Sequence, residues 1–330
     1  MKASIIIPNL NGEGWLKQSL DTCINQDFRQ EYEIIVIDNG STDSSVEIIK
    51  ECASRFENLH LIQNTENTGF SYAVNQGIKM SCAEYAVMFN NDAFAQPDWL
   101  AELVRVADSD ENIFSVGSLM IQARNRELCD DAGDYVPIFG WTCKRGDGLS
   151  ASRYTKQERI FSACGGAALY RRSILDEIGY FDENFFAYGE DVDLGWRANN
   201  AGYKNIFNPK AVCYHIGSAT TGGKYNTFKA VKSGQNTALL HYKNMPLLMY
   251  IINLPFILIG YIPKYLAYIK NGYAGDLTKG IISAFKMRKL IDKPKFKLKN
   301  LPSYLWVEMS MIKNSFVYVD YRIKRALGIK

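Results

Sequence analysis

The sequence predicts an α/β fold, a sheet covered by helices on both faces, followed by a C-terminal helical segment of different character. Three observations carry this. Over residues 1–92, short apolar β-rich runs alternate with stretches of helical periodicity, the pattern of strands joined through crossover helices. Polar residues gather just past the end of each run, at the edge where open α/β sheets bind ligands. Beyond Lys243 the texture turns uncharged and apolar, then strongly basic.

The elements follow in order. Strands are expected at 3–8, 33–38, 59–63 and 85–90, with helices at 13–25, 44–54 and 70–80 between them. Ser44 and Glu47 have the spacing of a capping box at the second helix. From 113 to 214 the alternation loosens. The Gly/Asp-rich stretch 130–148 reads as a long loop or short hairpin over the site, and 161–170 is a further apolar run containing Gly165 and Gly166. A helix should start near Glu190 and end at Gly202, with Glu190, Asp191 and Asp193 in the first turn where the helix dipole favours them. Asp193 and Arg197 have i,i+4 spacing.

Residues 244–263 form a run of 20 without a charge, close to membrane-spanning length but interrupted by Pro246, Asn253, Pro255 and Pro263. A spanning helix would also put the basic tail on the far side, against the positive-inside bias. Three placements stay open: a span, an in-plane attachment, and a helix packed on the body. After Pro302, Leu305, Met309, Ile312, Phe316, Val319 and Ile323 recur at helical spacing, a face that either packs on neighbours or meets a membrane.

Composition narrows the class. At 330 residues, 47% hydrophobic and 22% charged, the chain is neither disordered, collagen-like nor a small disulfide scaffold. Seven scattered cysteines without a C-x-x-C argue against a disulfide framework and a structural zinc site, and fit a reducing compartment. The first apolar run is too short for a signal peptide, so the catalytic body is expected in the cytosol. The net charge of +3 hides an asymmetry: from Lys264 onward there are 15 Lys and Arg against 4 Asp and Glu, leaving the body acidic. No G-x-G-x-x-G follows the first strand and no G-x-S-x-G occurs. Residues 218–224 resemble a phosphate-binding loop only superficially, since Ser218 replaces its first glycine and no Ser or Thr follows Lys224. What remains is a nucleotide site built from carboxylates and amides at strand ends.

Each candidate group has two readings. Asp38, ending the second strand, can accept hydrogen bonds from a base or ribose, or belong to a turn that caps the next helix. Asn90-Asn91-Asp92 offers the hard oxygen donors that a Mg2+ or Mn2+ diphosphate complex takes, or a common turn. His215, one of three histidines, is a further ligand or a structural imidazole. In Gly189-Glu190-Asp191-Val192-Asp193, one carboxylate aimed into a pocket could take a proton from a hydroxyl; the other reading is surface charge that complements the dipole.

As a set, these residues resemble family 2 glycosyltransferases. The resemblance rests on Ser4-Ile5-Ile6-Ile7-Pro8-Asn9-Leu10-Asn11, Val36-Ile37-Asp38-Asn39-Gly40-Ser41-Thr42-Asp43, Asn64 to Asn75, Phe89-Asn90-Asn91-Asp92, Cys164-Gly165-Gly166-Ala167 and Phe185 to Arg197, in order over about residues 3–220. The texture is similar to the bacterial rhamnosyltransferase-like branch, with Asn-x-Asp in place of Asp-x-Asp. The resemblance implies a GT-A fold, Rossmann-like with a mixed sheet, binding a nucleotide-diphospho-sugar. Pro8, Asn9, Asn11 and Asp38 would hold the nucleoside, and Asn67, Gly69 and Asn75 would shape the pocket. Asn90 and Asn91 would border the diphosphate. Asp92 and His215 would bind Mg2+ or Mn2+. Gly165 and Gly166 would let the backbone approach the sugar. Asp191 would be the general base, with Glu190 beside it contacting hydroxyls.

The resulting division is a transferase domain at 1–225, with a nucleotide-binding part at 1–110 and an acceptor part at 111–225, then a helical, membrane-associating region at 226–330. The expected reaction moves a single sugar with inversion, L-rhamnose from dTDP-rhamnose, to a hydroxyl of a lipid-linked saccharide in cell-surface polysaccharide synthesis. Processive synthases carry Gln-x-x-Arg-Trp, which is missing here. UDP-glucose, UDP-galactose or another UDP-sugar is the alternative donor, and a non-catalytic membrane-bound scaffold the alternative class. The basic tail implies an anionic membrane surface as partner, at the inner face of the cell membrane, and no nucleic acid.

Overall fold

The computed structural model describes residues 1–217, 225–291, 293 and 295–326; the loop-like stretch 218–224 lies outside them. The first part alternates as expected: β1 (Ala3–Asn9), α1 (Leu16–Ile24), β2 (Tyr32–Asp38), α2 (Ser45–Ala53), β3 (Leu59–Gln63), α3 (Phe70–Met80) and β4 (Tyr85–Phe89). β1 pairs in parallel with β2 and β4, and β2 with β3. Side chains alternate across a strand, so Ile5, Ile7, Ile34 and Val36 are buried on one face and Ile6, Ile35 and Ile37 on the other. The Ser44–Glu47 capping box is not formed. Ser44 is the N-cap residue of α2 without a side-chain cap bond, and the turn is tied instead by Asp43, which accepts the Ser45 N–H at 3.1 Å, and Glu13, which accepts the Ser44 N–H at 3.1 Å.

The chain then continues through β5 (Ala93–Ala95), α4 (Trp99–Ala107), β6 (Ile113–Gln122), β7 (Cys129–Asp131), β8 (Asp134–Tyr135), β9 (Cys143–Lys144), β10 (Glu158–Ile160), β11 (Ala167–Arg171), α5 (Arg172–Ile178), α6 (Glu190–Ala201) and β12 (Lys204–His215). β11 inserts antiparallel between β4 and β6, which makes the sheet mixed in the order β10-β12-β6-β11-β4-β1-β2-β3. β8 and β9 form the short hairpin expected within 130–148. α6 ends at Gly202, whose φ of +102° suits a residue without Cβ.

Four further α-helices follow among the described residues: α7 (Thr227–Asn244), α8 (Leu247–Lys270), α9 (Ala274–Met287) and α10 (Leu301–Ala326). α7 and α9 touch backbone to backbone at Gly234 and Gly280, where an added Cβ would lie 2.3 and 2.0 Å from the Leu277 and Val231 carbonyl oxygens. The prolines of the uncharged run do not break it: Pro246 caps α8, and Pro255 and Pro263 lie inside a continuous helix about 36 Å long. Its buried side carries Asn253, which donates to Glu308 of α10 at 2.9 Å, with Ile257 and Gly260. Its other side is open, Leu248 being 70% and Ile262 59% exposed. α10 packs through Tyr304, Val307, Met311 and Ser315, whereas the stripe of Leu305, Met309, Phe316, Val319 and Ile323 faces outward, Phe316 being 72% exposed. Ile312, of the same stripe, is half-buried, so α10 packs on its neighbours through the adjacent face while most of the stripe stays open.

Candidate active site

Parallel pairing brings the strand ends together. Asn9 of β1 lies opposite Asp38 of β2, and its Nδ2 donates to Asp38 Oδ1 at 2.9 Å, while Asn91 after β4 donates to Asn9 Oδ1 at 2.7 Å. The Ser41 hydroxyl and N–H occupy the rest of Asp38, at 2.6 and 3.1 Å. Asn67 Oδ1 accepts from Gly69 N–H at 3.0 Å and from Asn39 at 3.1 Å. Gly69 has φ +86° and a Cβ there would lie 2.6 Å from the Phe186 ring, so only glycine fits this turn.

A cavity of about 1100 Å³ opens beyond this edge. Pro8, Asn9, Asn67, Gly69, Asn90, Asn91, Asp92, Gly165, Gly166, Glu190, Asp191 and His215 all line it. Three of the expected residues are not part of the lining: Asp38 and Asn75 are buried behind it, and Asn11 is exposed beside it. Asp38 is buried among its own partners, and Asn11, with φ +50°, accepts the Thr42 N–H at 2.9 Å. Asn75 donates to the Phe181 carbonyl at 2.8 Å and accepts the Phe181 N–H at 3.2 Å, fastening α3 to the chain ahead of α6.

On the opposite wall β12 pairs with β5 in a register that sets His215 against Ala93. His215 Nε2 is 3.1 Å from Asp92 Oδ1, and its Nδ1 is 2.8 Å from Asp130 Oδ2 on the hairpin segment. Burial alone would lower the His215 pKa, but the two carboxylates outweigh it and raise it to about 9. A cation binding at Nε2 would displace its proton, and the Asp130 carboxylate on Nδ1 would then orient the neutral imidazole toward it. Asp92 and His215 thus present one hard oxygen and one nitrogen, a pair that fits Mg2+ or Mn2+ when diphosphate oxygens and water fill the remaining positions. Among the described residues, no cluster of three or more His, Cys, Asp or Glu side chains forms a ready-made metal cage.

The carboxylates at the start of α6 differ. Asp191 Oδ2 accepts the Gly165 N–H at 2.9 Å and Oδ1 the Val192 N–H at 2.8 Å. Burial raises its pKa, and these N–H groups partly offset that by favouring the ionised form. Glu190 Oε2 is buried without a partner, and burial followed by the charge of Asp191 raises its pKa to about 8. Asp193 points away from the cavity and is fully buried, accepting from Arg197 Nε at 2.9 Å as the spacing predicted, from Lys243 Nζ at 2.9 Å and from Asn244 at 2.8 Å.

A stability signature follows from Glu190. Its folded pKa lies above the ordinary 4.5, so the native state holds more protons than the unfolded chain between about pH 4.5 and 8 and loses stability as pH rises through that window. Glu190→Gln should therefore raise the melting temperature at pH 9, by a gain on the order of a few kcal/mol, and change little at pH 4. Thermal unfolding at both pH values checks this; an equal effect at both would show that charge burial is not the cause.

Sequence reasoning missed the residues on the hairpin and on α7. Asp130 supports His215, Asp134 and Lys144 line the same cavity, and Lys144 Nζ sits 3.2 Å from Asp130 Oδ2. Lys232 of α7 acts on Glu190 through its charge. The acidic spacing Asp130-Asp131-x-x-Asp134 was the one available signal for the hairpin.

This mixed sheet, with amides and carboxylates at the strand ends and an acidic helix start across the cavity, is the GT-A fold. The solved structure of a mannosyltransferase from Pyrobaculum calidifontis, in complex with GDP-Man and Mn2+, superposes with a TM-score of 0.54 at 17% identity, covering 96% of this chain and 86% of that one. S. aureus TarS 1–349 in complex with UDP gives 0.55 at 18%, covering 98% and 91%. The family model for glycosyl transferase family 2 matches residues 4–179, and that for glycosyl transferase family group 2 matches 145–263. The chain belongs to glycosyl transferase family 2. Among curated relatives, a dolichyl N-acetyl-alpha-D-glucosaminyl phosphate 3-beta-D-2,3-diacetamido-2,3-dideoxy-beta-D-glucuronosyltransferase of Methanococcus voltae is 26% identical over 216 residues, covering 63% of this chain and 65% of the relative. A poly-beta-1,6-N-acetyl-D-glucosamine synthase of Staphylococcus epidermidis is 25% identical over 242 residues, covering 72% and 55%. The chain thus spans between about half and two thirds of these relatives' length.

Proposed function

We propose that the chain is an inverting glycosyltransferase that moves one sugar from a nucleotide-diphospho-sugar to a hydroxyl of a lipid-linked saccharide, in cell-surface polysaccharide synthesis. The observation that carries this reading is Asp191 placed in one cavity with the Asp92–His215 pair and the amide-lined strand ends. The acceptor hydroxyl gives its proton to an Asp191 carboxylate oxygen while its oxygen bonds the anomeric carbon. The bond from that carbon to the diphosphate oxygen breaks, the electron pair leaves with the nucleoside diphosphate, and attack from the opposite face inverts the centre. A bound divalent cation at Asp92 and His215 would offset the negative charge of the diphosphate. Glu190, largely neutral at pH 7, can donate a hydrogen bond to a sugar hydroxyl.

For the donor, the Asn-x-Asp of Asn90-Asn91-Asp92 and its rhamnosyltransferase-like surroundings favour dTDP-L-rhamnose. UDP-sugars are the second reading, favoured by the similar TarS fold, solved in complex with UDP and with UDP-GlcNAc. Thermal shift against dTDP-rhamnose, UDP-glucose, UDP-galactose and UDP-GlcNAc, with and without Mn2+, separates them. The donor should stabilise the protein by about 2.7 kcal/mol at hundredfold excess over Kd, and Asp92→Asn or His215→Ala should remove the Mn2+-dependent part. Stabilisation by a UDP-sugar alone transfers the assignment to the second reading; no response to any of the four sinks both.

The reading includes peripheral attachment to the cytoplasmic face of the membrane. α8, the one described helix long and apolar enough to cross a membrane, has only 17% of its most apolar stretch buried, and the exposed stripe of α10 adds a second apolar face within the basic region. Apolar insertion and attraction to anionic lipid then act together. The full chain should co-sediment with phosphatidylglycerol vesicles, and Ile262→Asp with Leu266→Asp should reduce the bound fraction by roughly tenfold or more. Unchanged sedimentation of that variant would remove α8 from the contact.

A further inference from the structure

A second cavity, of about 820 Å³, lies beside the first, between the 129–144 segment and helices α7, α8 and α10. Thr142, Tyr188, Gly189 and Lys229 line both, and Gly189 directly precedes Glu190 and Asp191, so the two spaces meet at the start of α6. The walls of the second are mostly apolar and include six aromatic rings. Trp141 is fixed by its Nε1–H on the Gly260 carbonyl at 3.1 Å and stands edge-on to Tyr318 at 5.1 Å between ring centres. Tyr268 faces the same space from α8.

Two of the lysines that enter this apolar space, Lys232 and Lys264, form no ion pair among the described residues. Lys264 Nζ donates to the Thr237 hydroxyl at 2.8 Å and the Ser233 carbonyl at 3.3 Å, both neutral, and burial lowers its pKa to about 8. Lys232 lies 5.0 Å from the centre of the Phe186 ring and forms no ion pair among the described residues. The carboxylate that acts on it is Glu190, itself pushed toward the neutral form. Burying an ammonium without a counter-ion is costly, and an anion from outside would relieve that cost. The apolar share of the walls favours an anion that carries an apolar chain. Ile259, Ile262 and Leu266 extend the apolar surface along the exposed side of α8, a path from the cavity toward a membrane.

We propose that this cavity binds the phosphate end of a polyprenyl phosphate or diphosphate carrier, with Lys232 and Lys264 facing the phosphate and Trp141, Tyr268 and Tyr318 the first isoprene units. The proposal rests on the transferase reading with a lipid-linked acceptor, and places that acceptor's anchor so that its sugar emerges at Gly189 beside Asp191.

The test is calorimetric titration of the purified full chain, in EDTA, with farnesyl diphosphate, farnesol and inorganic pyrophosphate. Farnesyl diphosphate should bind at least about tenfold more tightly than either fragment, and Lys232→Gln with Lys264→Gln should weaken it by about tenfold to a hundredfold, while Lys264→Gln alone, remote from the first cavity, weakens it and leaves nucleotide-sugar binding unchanged. Equal affinity for farnesol or for pyrophosphate, an unchanged affinity in the double variant, or displacement of the probe by the nucleotide-sugar would each overturn the proposal. Should the double variant fail to fold, Lys232→Gln alone, on a half-buried side chain, carries the same comparison with a smaller expected loss. Absence of nucleotide-sugar binding in the unaltered chain would instead defeat the transferase reading, an outcome distinct from any of these.

Discussion

Asp191→Asn should lower kcat by about 10²–10⁴-fold and leave nucleotide-sugar affinity within about twofold. The asparagine keeps the size of the side chain but cannot take a proton, and only its one oxygen can still accept from Gly165 or Val192. Glu190→Gln should cost less, because a neutral group that only donates to a hydroxyl is replaced by another neutral donor. The pH dependence adds a second readout. Burial raises the Asp191 pKa, so kcat/KM should rise with pH through a midpoint above the ordinary carboxylate range, and the observed midpoint belongs to the Glu190–Asp191 pair as a unit. Near-normal turnover of Asp191→Asn together with an inactive Glu190→Gln would exchange the two roles.

That the cavity wall was readable at all follows from sheet geometry. Parallel strands end at one edge, so Asn9, Asp38 and Asn91, far apart in the chain, had to converge once β1, β2 and β4 were recognised as neighbours. Local spacing likewise revealed Asp193–Arg197, since i,i+4 contact is a property of the helix itself. Asp130 was hidden for the opposite reason. It reaches His215 across 85 residues from a segment without periodicity, and only the pairing of β6 with both β7 and β12 brings the two together. Asn75 shows that a polar residue near the site can be spent on backbone hydrogen bonds, here those of Phe181, which no spacing rule reveals. For α10, periodicity identified an apolar stripe but not its direction. The packing face is set by Tyr304, Val307, Met311 and Ser315, where a small polar residue lets the helix approach and weakens the hydrophobic signal. The prolines of α8 misled because a proline inside a helix removes one backbone bond without ending the helix where packing elsewhere holds it, here through Asn253, Ile257 and Gly260.

α7, which lines the second cavity, also holds α6 and its candidate base, and Lys243 is the joint. Its Nζ lies 2.7 Å from Asp182 Oδ2 and 2.9 Å from Asp193 Oδ2, with both side chains of the Lys243–Asp193 pair almost wholly buried. Lys243→Met should destabilise the protein by about 3–5 kcal/mol, because it leaves Asp182 without its ammonium and Asp193 with Arg197 and Asn244 alone. Its sign with pH is fixed by Asp193. Burial would raise that pKa, but Lys243 and Arg197 outweigh it and hold the folded value below the ordinary 3.8. The stabilisation is therefore present above the unfolded pKa and lost as pH falls through the folded value. Removing Lys243 raises the folded value, so the deficit of the variant should be largest near pH 7 and shrink toward pH 3.5. Urea unfolding at the two pH values checks this, and an equal deficit at both would assign the loss to packing of the lysine stem instead. Because Asp193 is two residues from Asp191, loosening α6 from α7 should also reduce kcat in whatever fraction stays folded, with nucleotide-sugar affinity retained, since the strand ends that line the other side of the cavity do not touch this joint.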